Sequence, residues 1–167
     1  MKKNIFIVLA LTAALFILAP ELNLGFCMGS APAKAVEAQA PDFTLPDLEG
    51  KEITLSSFKE KNSVILFFWT TWCPYCRRDL KTLQADYAQM SAQGVKLLTV
   101  DIAETKAKVQ MFARENLLTL PVLLDADMAV AQKYQVFGVP TFVGIGKDGA
   151  IKFNRNFLPE DFAEVLK

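Results

Sequence analysis

Residues 67–79 read FFWTTWCPYCRRD, an apolar run that ends in two tryptophans and a threonine pair, then two cysteines, then charge. Cys73 and Cys76 are two residues apart, a spacing used by metal clips, structural disulfides and redox couples. A closed zinc site needs four ligands, drawn from cysteine and histidine. The chain has no histidine, and its third cysteine, Cys27, lies far upstream, so no metal site is expected. A bridge across two residues closes a very small loop and stabilises little by the loop-entropy argument. The flanking pattern favours redox chemistry. The apolar run reads as a buried strand, and the residues after Cys73 open a helix with Pro74 at its first position, where a missing N–H costs nothing. The unpaired N–H groups and positive dipole end of such a helix stabilise a thiolate, and Arg77 and Arg78 add positive charge. Cys73 is therefore expected to be the exposed nucleophile of lowered pKa, and Cys76, facing inward, the resolving thiol. No cofactor beyond the Cys73–Cys76 couple is required.

The whole chain bounds the rest. Its 167 residues, 52% hydrophobic, suit one domain with an ordinary core. Eighteen basic residues balance eighteen acidic ones, so there is no basic field for nucleic acid. Lys2 and Lys3 precede an apolar run from Ile5 to Ala19, broken by Pro20 and Glu21. A basic start followed by such a run fits an export signal. Fifteen helical residues reach only about 22 Å, short of a bilayer core of about 30 Å. Leu22, Leu24 and Phe26 extend the run, so residues 1–28 are either a cleaved signal peptide or a membrane anchor over residues 5–26. Leu24-Gly25-Phe26-Cys27 also resembles a lipidation site, with Phe26 where a small residue is usual. In each case the domain is exported to the periplasm or cell envelope, where disulfides persist.

Residues 29–40 are rich in Ala and read as a linker, placing the domain at 41–167. Phe43–Leu45 and Glu52–Leu55 flank Asp47-Leu48-Glu49-Gly50 as a hairpin. Ser63–Trp69 is an uninterrupted apolar strand. Leu80, Leu83, Tyr87 and Met90 recur at helical spacing from Pro74 to about Gln93, with Gly94 as the stop. Strands are expected at Val95–Val100, Pro121–Leu124, Thr141–Gly146 and Ala150–Phe153, and helices at Glu104–Asn116, Met128–Tyr134 and Pro159–Leu166. The order ββ-βα-βα-βα-ββα is an α/β pattern around a mixed central sheet. Asp125 and Asp127 read as turn and cap residues. Trp69 reads as core and Trp72 as a substrate-facing side chain.

The block Trp72-Cys73-Pro74-Tyr75-Cys76 between strand and helix resembles the thioredoxin superfamily. Pro41–Lys51 (PDFTLPDLEGK), Leu55-Ser56-Ser57-Phe58, Asp125–Val136 (DADMAVAQKYQV) and Gly138-Val139-Pro140-Thr141-Phe142 extend the likeness to exported TlpA/ResA-like thiol–disulfide oxidoreductases. The resemblance covers residues 41–167. It implies a thioredoxin-like fold with an N-terminal β-hairpin and an αβ insertion. It also implies that Pro140 is cis and that the Val139 backbone, with Trp72, Pro74 and Tyr75, meets an extended substrate. Asp79, three residues after Cys76, stands where the family often has an acid that moves protons at the buried thiol; the alternative is a solvated carboxylate beside Arg77 and Arg78.

The implied activity is disulfide exchange with partner proteins. Family likeness leans towards reduction, for example of haem-binding cysteines during cytochrome c maturation, with a membrane thiol carrier as electron donor. The Pro74-Tyr75 pair is instead that of glutaredoxins, and residues between the cysteines tune the couple, which keeps a disulfide oxidase or isomerase open. A thiol peroxidase built on Pro-x-x-x-Thr-x-x-Cys would find Thr70 in place but Leu66 where its proline belongs. A copper-delivery module would need a wider cysteine spacing and a histidine. A pure binding module would leave the cysteine pair without purpose.

Overall fold

The computed structural model describes residues 38–167. The leader, Cys27 and most of the expected linker lie outside the described residues. A hairpin of β1 (Thr44–Pro46) and β2 (Glu52–Thr54) leads through a 3-10 turn, Leu55–Phe58, into β3 (Ser63–Trp69). Then follow α1 (Pro74–Ala92), β4 (Val95–Ile102), α2 (Lys106–Glu115), β5 (Val122–Asp125), α3 (Ala129–Lys133), β6 (Thr141–Ile145), β7 (Ile151–Arg155) and α4 (Phe162–Val165). Five strands form one sheet in the order β5-β4-β3-β6-β7. β3 pairs parallel with β4 and antiparallel with β6. This is the mixed, helix-flanked sheet expected, and α2 with β5 is the αβ element added outside β4.

The apolar run of β3 follows from its central place. Ile65, Phe67 and Trp69 enter one core with Leu80, Leu83 and Met90 of α1 and Val109 and Phe112 of α2. Val64, Leu66 and Phe68 enter the opposite core, with Phe43, Leu45, Val130, Ala131 and Tyr134. Both faces are covered, so alternation disappears. Each fully buried large side chain contributes about 1.5–3 kcal/mol.

Several boundaries move for identifiable reasons. β4 runs past Val100 to Ile102 because its pairing with β5 continues through Asp101↔Leu124 and Ile102↔Asp125. α2 starts at Lys106, with Thr105 as its cap, since Thr105 Oγ1 accepts from the Lys108 N–H at 3.4 Å. Residues 38–40, assigned to the linker from their composition, are bonded to the fold. Gln39 bridges Ala150, and the Ala40 N–H donates to the Gly149 carbonyl at 2.9 Å. Hydrogen bonding of the backbone, which composition does not report, holds them. α1 ends as expected, with Gly94 at φ +77° after the last turn.

Gly144 on β6 carries a packing requirement of its own. A Cβ there would fall inside the ring of Phe153, which is buried on the neighbouring strand. Gly144→Ala is expected to lower stability by roughly 1–3 kcal/mol in urea unfolding, at unchanged m-value. Wild-type stability in that variant would mean that the Phe153 ring has room to swing aside.

Candidate active site

The loop leaving β3 is turned by a hydrogen bond from the Cys73 N–H to the Thr70 carbonyl at 3.3 Å. Cys73 is the N-cap of α1, with Pro74 at the first helical position. Its Sγ accepts the Cys76 N–H at 3.2 Å, and its carbonyl accepts the Arg77 N–H at 3.1 Å. Cys73 and Cys76 are joined as a disulfide, with their Cα atoms 5.3 Å apart. The expected helix-terminal setting is therefore present.

The expectation that Cys73 is exposed is corrected. It is only 3% accessible, and Cys76 is fully buried. In the oxidised pair its sulfur turns towards Cys76 and lies 3.9 Å from the Val139 carbonyl oxygen. A disulfide carries no proton, so this is a packing contact and not a hydrogen bond. Strand register brings together these residues, 66 positions apart in the chain. Phe68 at the end of β3 pairs with Thr141 at the start of β6, which sets Val139 and Pro140 beside the cysteine loop. The Val139–Pro140 peptide is cis, as the resemblance implies. Thr141 Oγ1 donates to the Gly138 carbonyl at 2.7 Å, and Asn156 Nδ2 to the Pro140 carbonyl at 2.9 Å.

Around the buried sulfurs the surface is aromatic. Trp72 and Tyr75 are 63% and 64% exposed, Pro74 is exposed, and Val139 and Pro140 are half-buried. The Arg78 guanidinium lies 5.6 Å from the centre of the Tyr75 ring. Asp79 is half-buried, and Arg78 engages its carboxylate at 3.0 Å. It lines a cavity of about 240 Å³ with Arg78, Thr82, Phe142 and Phe157.

The match to known proteins now has a site to attach to. The AhpC/TSA family model matches residues 36–154. The thiol-disulfide oxidoreductase ResA of Geobacillus thermodenitrificans is 40% identical over 120 residues, which span 72% of this chain and 68% of that protein. This chain belongs to the AhpC/TSA family, among its ResA-type thiol–disulfide oxidoreductases. ResA of Bacillus subtilis is 36% identical over 114 residues, 68% of this chain and 63% of that one. The crystal structure of StoA from Bacillus subtilis superposes with a TM-score of 0.65 at 27% identity, over 77% of this chain and 98% of StoA. The fold is thioredoxin-like.

This ResA-type site has a second layer that the sequence reading did not single out. Glu104, buried after β4, accepts the Thr71 N–H at Oε2 and the Thr71 hydroxyl at Oε1 (2.8 Å), and pairs with Lys108 of α2. Arg77 Nε donates to the Thr71 carbonyl at 2.6 Å, and its guanidinium lies 5.5 Å from the Phe112 ring centre. Thr71 is thus held from both sides, one residue before Trp72-Cys73. Burial pushes the Glu104 carboxyl up, but hydrogen bonds from Lys108 and Thr71 outweigh it and hold it below the usual range. Asp101 is 1% exposed. Burial first, then its hydrogen bond to Glu104 and the Glu104 charge, push it up to about 9. The signal for both was thin. Asp101 marked the end of an apolar strand and Glu104 the start of a helix, and neither pattern reports what lies across the sheet.

Asp101 binds its proton more tightly in the folded chain than the ordinary value of 3.8 allows. Between roughly pH 4 and pH 9 the folded state therefore carries the extra proton, and this group's contribution to stability falls as pH rises. Asp101→Asn is expected to flatten that decline in urea unfolding measured across the range. An unchanged slope would mean that Asp101 ionises normally.

Proposed function

We propose that this chain reduces disulfides in partner proteins, with Cys73 as nucleophile and Cys76 as resolving thiol. One observation carries the reading: a cysteine pair capping α1, with the Cys76 N–H aimed at Cys73 Sγ and the Val139-Pro140 turn against it. The Cys76 N–H that donates to the sulfur here would stabilise the Cys73 thiolate after reduction, together with the positive end of α1. Attack on a substrate disulfide joins Cys73 to one substrate sulfur and releases the other as a thiolate. Cys76, losing its proton, then attacks Cys73 Sγ, closes the internal disulfide and frees the second substrate thiol. A dithiol donor returns two electrons and two protons.

Because the sulfurs are buried, substrate must approach through the exposed rim. Trp72, Pro74 and Tyr75 form one side of it, and the half-buried Val139 and Pro140 the other. The Val139 backbone would pair with an extended segment of the substrate. Asp79 is a lesser proton group for Cys76: in the oxidised state its carboxylate accepts the Arg78 Nε–H. The ResA-type relationship supports the reductive direction. The finer setting is an envelope location reached through residues 1–28, retained at the membrane by residues 5–26 if uncleaved. A membrane thiol carrier would serve as donor, and haem-attachment cysteines in cytochrome c maturation would be one class of substrate.

The Pro74-Tyr75 pair supports a second reading as a disulfide oxidase or isomerase. The reduction potential of Cys73–Cys76 separates the two. A value near the thioredoxin figure of about −270 mV is expected, whereas one near about −120 mV would make the chain an oxidant. Cys73→Ser should abolish exchange, and Cys76→Ser should accumulate mixed disulfides visible on non-reducing gels. Full exchange activity without Cys73 would overturn the mechanism.

A further inference from the structure

Several buried polar groups sit in the cysteine layer and enter none of these steps. Neither oxygen of Asp101 meets an N–H or O–H donor among the described residues, and Trp69 Nε1 and Thr70 Oγ1 are likewise buried without partners. Register explains the clustering. Asp101 on β4 lies opposite Trp69 on β3, and both stand at the strand ends where the cysteine loop begins. By alternation Asp101 shares a face with Val95 and Leu97, which pack in the same core as Cys73, Cys76 and Trp69.

Burial acts on Asp101 first, and the neighbouring groups then modulate it. Glu104 raises its pKa by hydrogen bonding and charge, and the Lys108 charge lowers it. Arg77 of α1 is bound to the Thr71 carbonyl. Asp125, at the end of β5, turns to the opposite face, where it accepts the Val130 and Ala131 N–H groups of α3. Glu104 has Thr71 and Lys108 as donors, whereas Asp101 has none. Two carboxyls in one low-dielectric layer do not both ionise readily. The charge therefore rests on Glu104 and the proton on Asp101, which donates it to Glu104.

We propose that Asp101 is a positioning residue for disulfide exchange, a neutral acid whose proton is linked to the redox state of Cys73–Cys76 and which steadies the Glu104 clasp on Thr71. The inference rests on the reading above, in which reduction creates a thiolate at Cys73. The disulfide has no charge, but the thiolate is a negative charge in the same layer as Asp101. Each like charge raises the pKa of the other group. Asp101 accordingly releases its proton at lower pH in the oxidised chain than in the reduced one. Within that alkaline window the disulfide and the Asp101 carboxylate take up two electrons and two protons from a dithiol donor. One proton goes to Cys76 and one to Asp101, leaving Cys73 as the thiolate. Below the window Asp101 is already protonated, and reduction to thiolate and thiol takes up only one proton.

The test is the equilibrium of the full chain with glutathione, measured from neutral to alkaline pH for the parent and for Asp101→Asn. Asparagine keeps the size and a donor towards Glu104. The parent should show an inflection of one proton, a further tenfold change in the equilibrium constant per pH unit across the window, and the variant should lack it. An identical pH dependence in the two proteins would overturn the proposal. If the variant does not fold, the infrared difference spectrum of the parent, oxidised minus reduced, decides. On the alkaline side a protonated buried carboxyl should be present in the reduced chain and lost in the oxidised one, and no change in that band would overturn the proposal. Glutathione equilibrates with the cysteine pair whatever its protein partner, so failure of the proposed function, read as absence of mixed disulfides in Cys76→Ser, remains a separate result.

Discussion

Everything at this site depends on where β3 ends. The strand is buried on both faces and held between a parallel and an antiparallel neighbour, so its last residue, Trp69, has a fixed position in all three directions. The chain must turn there within four residues to start α1, and the turn presents Cys73 at the helix N-terminus. The parallel partner β4 delivers Asp101 to the same point, and the antiparallel partner β6 delivers Val139 and Pro140. One strand end thus gathers the cysteine pair, a buried acid and the cis Val139-Pro140 turn from three separated parts of the chain.

Electrostatics at that point are arranged in opposite senses over a short distance. The helix terminus and the Cys76 N–H favour negative charge at Cys73. Beneath the loop, the chain concentrates its hydrogen-bond donors on Glu104 and withholds them from Asp101. A single buried carboxylate with three donors is tolerable in a low-dielectric layer, whereas a second, with no donor of its own, stays neutral. The site consequently holds one fixed negative charge in its underlying layer, compensated by Lys108, and leaves the helix terminus to act on the sulfur.

The fold was readable because its signals are local. An unbroken apolar run from Ser63 to Trp69 announces a central strand, and Pro74 after Cys73 announces a helix start. Heptad-like spacing from Leu80 to Met90 with Gly94 behind it defines α1. The redox pair was readable for the same reason, since its spacing and flanks lie within thirteen residues. Burial of Cys73 was not readable, because it depends on packing with distant residues such as Val139, 66 positions away in the chain. Nor was the role of Glu104, whose position in sequence resembles a helix start but whose carboxylate is used by Thr71 in the loop after β3.

The sequence by itself determined the chemistry: two cysteines at a helix N-terminus, with no histidine to make them a metal site. It also determined the α/β order and the resemblance that names the family. Tertiary structure alone decided what surrounds the sulfurs. Register between strands is a long-range property, and shifting it by one residue would turn every side chain to the other face. Only the paired strands could place Asp101 across from Trp69 and Val139 against Cys73, and so bury both the couple and the acid that lies in its layer.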